Sequence, residues 1–157
     1  MVRYLDKERE LPLMGMLFDL MHENMAEAVP SGLAREWEKA KWLAEVVPAL
    51  KKEPRQIVLL YCKGMLAGFC MYYINGGKLM VEEVQIRRAY QRTSVAAELF
   101  RFLKGILPPD TACIEAFADK RNLDSRRFME KHGMVVIGET PDGTCVHYRG
   151  DARYIFK

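Results

Sequence analysis

Three runs of strand-forming residues, separated by two tight turns, constrain this chain more than any other feature. Gln56–Cys62 is rich in β-branched residues and leucine, and a Lys-Gly pair follows it as a turn into Met65–Ile74. The Asn-Gly-Gly-Lys tetrapeptide that comes next is a second strong turn signal, and it leads into Leu79–Ile86. Connections this short join neighbouring antiparallel strands. The pattern therefore predicts three consecutive antiparallel strands.

Helical periodicity and further strand patterns flank these three strands on both sides. The other predicted elements are a strand at Val2–Leu5, helices over Leu13–Met25 and Leu33–Val47, a helix over Val95–Ile106, a strand at Thr111–Phe117, a helix from its cap Asn122 to Gly133, and strands at Met134–Glu139 and Cys145–Arg149. Pro48 is expected to help end the second helix. Such an order predicts an α/β sheet with helices on both faces.

Size and composition favour one globular domain over residues 1–157, because the chain of 157 residues is 50% hydrophobic and 29% charged. No apolar run reaches the roughly 18 residues that a membrane span needs, and the charged N-terminus is unlike a signal peptide. A cytoplasmic location is the default expectation. The cysteines form no C-x-x-C pair and are expected to be small buried thiols, with no disulfide and no metal site: Cys62, Cys70, Cys113 and Cys145.

The segment Val81–Phe100 has the features of an anion-binding site. A basic loop with three arginines, Arg87, Arg88 and Arg92, precedes the predicted helix start. The first turn of a helix offers free N–H groups at the positive end of its dipole, and small residues there allow close approach to phosphate oxygens. The charge distribution agrees, since residues 51–157 carry a net charge of +6 and residues 1–50 a net charge of −3.

This segment resembles the acetyl-coenzyme A motif of the GNAT N-acetyltransferase superfamily. In that family a strand runs into a pyrophosphate loop of the form Gln/Arg-x-x-Gly-x-Gly/Ala, which here reads Gln-Arg-Thr-Ser-Val-Ala from Gln91 to Ala96, with Tyr90 just before it. The family's second motif is matched by Asn-Leu-Asp-Ser at 122–125 and by Phe-Met-Glu-Lys-His-Gly-Met at 128–134. The resemblance covers most of the chain from about residue 55 onward.

The resemblance implies a GNAT-like central sheet, mixed and mostly antiparallel, with helices on both faces and acetyl-CoA as co-substrate. It also implies the residues that bind the coenzyme, along the strand, the loop and the second motif: Val84, Gln85, Ile86, Gln91, Arg92, Thr93, Ser94, Val95, Ala96, Ala97, Asn122 and Ser125. For Asn122 and Ser125, a helix cap without any ligand is the alternative.

Two positions depart from the family pattern. Ser94 replaces the usual first glycine of the loop; a serine fits a helical first turn without strain, although its side chain narrows the approach of phosphate. Met129 occupies the position where many members of the family carry the tyrosine that protonates the leaving thiolate. Because methionine cannot donate a proton, this second departure weakens the mechanism and leaves the coenzyme site intact.

Glu82 and Glu83 resemble the acidic pair that several members acting on small amines place beside the acceptor, and they are the candidate catalytic residues. Strand alternation predicts that their side chains point to opposite faces, so that only one faces the substrate, unless a bulge changes the parity. A surface ion pair is the alternative. Asp19, Glu23 and Glu27 lie on the helix that borders the acceptor pocket in the family, where they would favour a cationic amine, but a solvated helix face is the preferred explanation.

The predicted function is transfer of an acetyl group from acetyl-CoA to a primary amine of a small molecule or peptide. The alternative is a non-catalytic acyl-CoA-binding regulatory domain of the same fold, in line with Ser94 and Met129. A nucleotide-binding module is excluded because neither G-x-x-x-x-G-K nor G-x-G-x-x-G is present. No nucleic-acid or membrane partner is expected, and a homodimer is left open. The histidines His22, His132 and His147 are expected to be ordinary surface or helix-end residues.

Overall fold

The computed structural model describes residues 1–52 and 54–155. Its elements are β1 (Val2–Tyr4), α1 (Met14–Ala28), α2 (Arg35–Lys52), β2 (Gln56–Cys62), β3 (Met65–Asn75), β4 (Lys78–Ile86), α3 (Val95–Ile106), β5 (Cys113–Asp119), α4 (Leu123–Lys131), β6 (Val135–Glu139), β7 (Cys145–Asp151) and α5 (Ala152–Ile155). Single turns of 3-10 helix precede α1 at Leu11–Leu13 and follow β4 at Arg88–Tyr90. The strands and helices therefore come in the predicted order, and α5 and the two 3-10 turns are additional.

All seven strands form one sheet in the order β1-β2-β3-β4-β5-β7-β6. The β4–β5 pair is parallel, and the other five neighbouring pairs are antiparallel. The three consecutive strands β2, β3 and β4 pair with one another as predicted, and the tight turns between them keep them adjacent. This topology confirms the predicted fold class, a mixed and mostly antiparallel sheet in an α/β protein.

Two apolar layers cover the sheet, one on each face, because side chains along a strand alternate between faces. On β2, Ile57 and Leu59 face the layer that contains the buried residues of α1 and α2. Val58 and Leu60 face the opposite layer, which contains the buried residues of α3. The four side chains are almost completely buried, and burying an aliphatic side chain of this size contributes about 1.5–3 kcal/mol.

Two predicted boundaries differ from the structure. Pro48 lies inside α2, which continues to Lys52, because the buried residues Val46 and Leu50 on either side of the proline hold the helix against the sheet. Strand β5 runs from Cys113 to Asp119, two residues later than predicted, since each of these residues pairs with β7. Helix packing and strand pairing therefore overrode the local signals.

All four cysteines are free thiols, and only Cys70 is fully buried. The prediction of buried thiols is therefore wrong for Cys62, Cys113 and Cys145, which are partly exposed. Burial raises the pKa of the Cys70 thiol, and the charges of Glu83 and Glu82 raise it further. Across residues 1–52 and 54–155, none of the helices has the length and apolar character that crossing a membrane requires.

Candidate functional site

The parallel strands β4 and β5 separate part of the way along their length. Their pairing begins at Lys78 opposite Cys113 and ends at Val81 opposite Ala116. Beyond this point β4 continues to Ile86 while still paired with β3, and β5 continues to Asp119 while still paired with β7. A cleft therefore opens between the two strands, and the predicted coenzyme-binding residues of β4 lie along one edge of it.

A β-bulge lies at the start of this cleft. Glu83 pairs with Met71 of β3 and Val81 pairs with Tyr72, so Glu82 is an extra residue in β4. As a result, Val81 and Ile86 pack against the same apolar layer, although strict alternation would place them on opposite faces. The simple alternation that predicted opposite faces for Glu82 and Glu83 is broken at this bulge.

The two candidate catalytic carboxylates have different partners. Glu82 forms an ion pair with Arg55, in which Nε and Nη2 of the guanidinium both donate to the carboxylate and Nη2 lies 2.6 Å from Oε1. Glu83 accepts a hydrogen bond of 2.5 Å from Nε2 of Gln85. Burial raises the pKa of Glu83 to about 7, the hydrogen bond from Gln85 opposes this shift, and the charge of Glu82 adds to it.

An asparagine of α1 connects this helix to the end of β4. The side-chain amide of Asn24 donates to Oε1 of Gln85 and to the backbone oxygen of Ile86, both at 2.9 Å. Gln85 is 5% exposed, so its side chain is held between Asn24 and Glu83. This chain of hydrogen bonds orients Gln85 and thereby the carboxyl group of Glu83. Asn24 and Arg55 were not predicted from the sequence, which offers no local signal for either.

Strand β3 approaches the same part of β4 closely at Gly68. A Cβ atom at this position would lie 2.3 Å from the backbone oxygen of Gln85 and 3.1 Å from Cα of Ile86. Only glycine permits this approach without a shift of one strand. An isolated glycine inside a strand pattern indicates such a contact, so this residue could have been recognised from the sequence.

The predicted pyrophosphate loop has the conformation of an open helix start. Arg92 has a positive φ of 61°, whereas Ser94 has an ordinary φ of −68° and therefore replaces the family glycine without strain. The hydroxyl of Thr93 donates to the backbone oxygen of Tyr90 and accepts a long hydrogen bond of 3.4 Å from N–H of Val95. Because the oxygen of Ser94 accepts from N–H of Glu98, the preceding N–H groups at Ala96 and Ala97 have no partner within the helix.

Two of the three loop arginines form ion pairs with α1. Arg87 lies 3.5 Å from Glu23 and also donates to the backbone oxygen of Leu66, while Arg88 lies 2.9 Å from Glu27. Their charges are partly compensated, which corrects the expectation that all three arginines attract an anion. Arg92 is exposed and forms no ion pair in the part of the chain that the structure describes.

The second motif forms the start of α4. The side-chain oxygen of Asn122 accepts from N–H of Ser125 at 3.2 Å, so the predicted helix cap is confirmed. The side-chain amide of Asn122 lies 3.5 Å from Sδ of Met25, which brings α1 against this end of the cleft. Met129 packs against the apolar layer around α3 and offers no hydroxyl group there.

The remaining acidic and histidine residues are engaged in local contacts. Asp19 forms ion pairs with Arg35 and Lys39 of α2. His147 of β7 stacks on Phe117 of β5 at 4.2 Å and is therefore not an ordinary surface residue. Among residues 1–52 and 54–155, no group of three or more His, Cys, Asp or Glu side chains is placed to hold a metal ion.

The site consists of two parallel strands that separate, followed after β4 by a basic loop and by a helix start with free N–H groups. This is the class of site that the acetyl-CoA motif implies. A sequence model of the acetyltransferase (GNAT) family matches residues 16–134. The chain therefore belongs to the GNAT family of acetyltransferases. A search of curated proteins found no match.

Solved acetyltransferase structures share the fold. The PaiA N-acetyltransferase from Thermoplasma acidophilum in complex with coenzyme A has a TM-score of 0.72 at 18% identity, over 96% of this chain and 98% of that one. An acetyltransferase from Thermus thermophilus has a TM-score of 0.73 at 16% identity, over 96% and 97%. An aminoglycoside 6'-N-acetyltransferase complexed with coenzyme A has a TM-score of 0.65 at 14% identity, over 97% of both chains. At these identities the likeness shows the fold alone.

Proposed function

We propose that residues 1–157 form a single acetyltransferase domain that transfers an acetyl group from acetyl-CoA to a primary amine of a small molecule or peptide. One observation carries this proposal. The cleft between β4 and β5 begins beside Glu83, whose carboxyl group has a pKa of about 7 and forms no ion pair among the residues that the structure describes. A carboxyl group of that pKa can accept a proton from an ammonium group near neutral pH.

The residues along the cleft fit the two chemical parts of acetyl-CoA. The open helix start with small side chains at Ala96 and Ala97 suits a diphosphate, and the exposed Arg92 adds a positive charge. The edge of β4 at Val84–Ile86 is free of a strand partner on its β5 side and suits the amide groups of the pantetheine arm. Under this proposal the loop residues from Gln91 to Ala97 hold the diphosphate, and Asn122 and Ser125 border the arm.

Acetyl-CoA supplies the activated acyl group, and the side chains of this protein position the amine and move its proton. The acceptor enters as an ammonium group, and Glu83 takes one proton from it so that the nitrogen lone pair becomes available. The nitrogen then forms a bond to the acetyl carbon as the C–S bond breaks, and the sulfur leaves with the electron pair. One nitrogen proton ends on the sulfur, by way of water, and Glu83 releases the other to solvent.

Glu83 suits this role better than Glu82. Both oxygens of the Glu82 carboxylate accept hydrogen bonds from Arg55, whereas the carboxyl group of Glu83 has no cationic partner among the residues that the structure describes. Glu82 instead places a negative charge near Glu83, which contributes to the raised pKa of that group. We assign proton removal to Glu83 and a supporting role to Glu82.

The first test is turnover of purified protein with acetyl-CoA and a panel of amines, followed by release of free thiol. Acetyl-CoA should also raise the melting temperature of the protein by linkage. Ala96→Leu should abolish this thermal shift without unfolding the domain, because the leucine side chain fills the approach to the helix start. Arg101→Leu, at an exposed position of the same helix, is the matched control and should retain the shift. Absence of any thermal shift with saturating acetyl-CoA would contradict the proposal.

The second candidate function is an acyl-CoA-binding domain without catalysis, and the packing of Met129 against the apolar layer favours it. Met129→Tyr separates the two functions. If water protonates the leaving sulfur, as proposed, the substitution leaves both turnover and coenzyme affinity nearly unchanged. A wild-type protein that binds acetyl-CoA but gains turnover only with the tyrosine would support the binding domain instead.

A further inference from the structure

One face of the β5–β7 part of the sheet is partly exposed. The residues of β5 and β7 that belong to the apolar layer around α3 are Ile114, Ala116, Ala118, Val146 and Tyr148. The alternate residues project from the opposite face, where Phe117 is 43% exposed and the side chain of Arg149 is 49% exposed. This exposed face carries an aromatic pair flanked by charged side chains.

The aromatic pair is held in a fixed arrangement. Phe117 and His147 are directly opposite each other on β5 and β7, and their rings stack at 4.2 Å with an angle of 21° between their planes. Nε2 of His147 also lies 3.1 Å from Oε2 of Glu115, which orients the imidazole ring. One face of the Phe117 ring is thus covered by His147, and the partly exposed remainder is available to a ligand.

The position of Phe117 places this pair at the mouth of the cleft. The last pair between β4 and β5 is Val81 opposite Ala116, so Phe117 is the first residue of β5 beyond it. On β4, the bulge residue Glu82 and then Glu83 follow Val81. Gln85, which bonds Glu83, also reaches Asn24 of α1, so Glu83 and Phe117 both lie on the face of the sheet opposite α3.

The charges around the mouth are complementary to a ligand with one positive charge. Among the described residues, the other carboxylates of β4 and β5 have cationic partners: Glu82 with Arg55, Glu115 with Arg149 and Lys78, and Asp119 with Arg121. Glu83 forms no ion pair within the described residues. Lys78 and Arg149 are also partly exposed, with side-chain exposures of 37% and 49%, and they would repel a second cationic group.

We propose that the acceptor is a monoamine with an aromatic or flat apolar body, which stacks on Phe117 while its ammonium group faces Glu83. This inference rests on the proposed acetyltransferase activity and narrows its substrate class. An exposed aromatic ring binds the faces of flat apolar groups, and offset stacking adds affinity beyond the area that is buried. A polyamine has no flat face and brings further charges, and an amino sugar brings hydroxyl groups that the mouth leaves without partners.

The test compares the acetylation of 2-phenylethylamine, spermidine and glucosamine by the wild-type protein and by Phe117→Ala. We expect wild-type kcat/KM to be at least about tenfold higher for 2-phenylethylamine than for the other two amines. In Phe117→Ala, KM for 2-phenylethylamine should rise about tenfold while kcat and the KM for acetyl-CoA stay within about twofold. Phe117→Tyr keeps the ring and should restore the wild-type KM.

Val135→Ala is the matched control. Val135 pairs with Arg149, so it lies on the same face of the sheet as Phe117. It is 62% exposed and stands two strands further from the cleft, on β6. It should leave every kinetic constant unchanged.

Two results would overturn this inference and leave the proposed acetyltransferase activity standing. One is that Phe117→Ala acetylates the three amines with the same ratio of kcat/KM values as the wild type. The other is that the wild type has its highest kcat/KM with spermidine. A loss of dimer mass in Phe117→Ala with unchanged KM would also overturn it, because the surface would then contact a second copy. If the wild type acetylated none of the amines, the result would contradict the proposed acetyltransferase activity as well.

Discussion

Glu83, which is partly buried, and Glu115, which is almost completely buried, lie on neighbouring strands, and their surroundings shift the pKa values of their carboxyl groups in opposite directions. Glu115 of β5 is 1% exposed and accepts hydrogen bonds from Arg149 at 2.6 and 2.8 Å, with Lys78 and His147 each at 3.1 Å. Burial raises its pKa, but these partners outweigh burial and lower the pKa to about 2. Burial of Glu83 meets one opposing hydrogen bond, and its pKa rises to about 7.

The difference shows that the cations around a carboxyl group, rather than its degree of burial, decide the direction in which its pKa shifts. Because its pKa is about 2, Glu115 is ionised at neutral pH, where it can hold strands together but does not exchange a proton. Glu83 exchanges its proton near neutral pH because no positive charge among the described residues stabilises its ionised form. One carboxyl group is structural and the other is suited to chemistry.

The largest expected effect comes from Glu83→Gln, which retains the size of the side chain and removes its ability to accept a proton. If Glu83 is the base, kcat with the true acceptor should fall by about 10²- to 10⁴-fold, while acetyl-CoA affinity stays nearly constant. Steady-state kinetics and calorimetry measure the two quantities. Glu82→Gln is the control and should lose much less activity, since Arg55 already neutralises that carboxylate. Equal losses in both variants, with intact circular dichroism spectra, would contradict the assignment.

Glu115→Gln should affect stability instead. Removing the shared negative charge leaves Lys78 and Arg149 without a counter-ion, and because both are partly exposed we expect a loss of about 1–3 kcal/mol in the free energy of unfolding. Urea unfolding at pH 7 measures this change. Glu139→Gln, which removes the exposed ion pair with Lys120, should cost less than about 0.5 kcal/mol.

The same pair of residues predicts opposite dependences of stability on pH. The pKa of Glu115 in the folded protein lies below the usual 4.5, so its contribution is present above pH 4.5 and is lost as the pH falls toward about 2. The pKa of Glu83 is raised from 4.5 to about 7, so wild-type stability falls as the pH rises through this window. The free energy of unfolding of Glu83→Gln, relative to that of the wild type, should therefore increase by about 1–3 kcal/mol between pH 4.5 and pH 8. Urea unfolding at both pH values tests this, and a constant difference would refute the raised pKa.

The smallest effect tests the hydrogen bond that opposes the pKa shift at Glu83. Gln85→Met has a side chain of similar length and removes the donor, so the pKa of Glu83 should rise further. The midpoint of the rise of kcat/KM with pH should then move to higher pH by less than about one unit. Gln56→Met on β2 is the control and should leave the midpoint unchanged. A shift to lower pH would show that Gln85 stabilises the neutral form instead.

Local sequence patterns predicted most of the fold because neighbouring residues determine strands, tight turns and helix starts. The bounds of β2 agree residue for residue, and the loop from Gln91 to Ala96 ends in the helix start that the motif indicates. Contacts between distant segments account for the differences. Pro48 remains within α2 because the helix packs on the sheet, and β5 takes its bounds from pairing with β7.

By itself, the sequence determined the order of the elements, the open helix start and the pair of acidic residues on β4, since each depends on residues close together in the chain. Only the tertiary structure distinguished the two acidic residues, because it pairs Glu82 with Arg55 and Glu83 with Gln85. The bulge at Glu82 arises from the pairing of β4 with β3. The partner of Glu82, Arg55, directly precedes β2, and the partner of Gln85, Asn24, lies on α1. Phe117 and His147 meet because β5 and β7 pair across 30 residues of chain. The protonation of a carboxyl group depends on all the charges within a few ångströms, and folding alone brings those charges together.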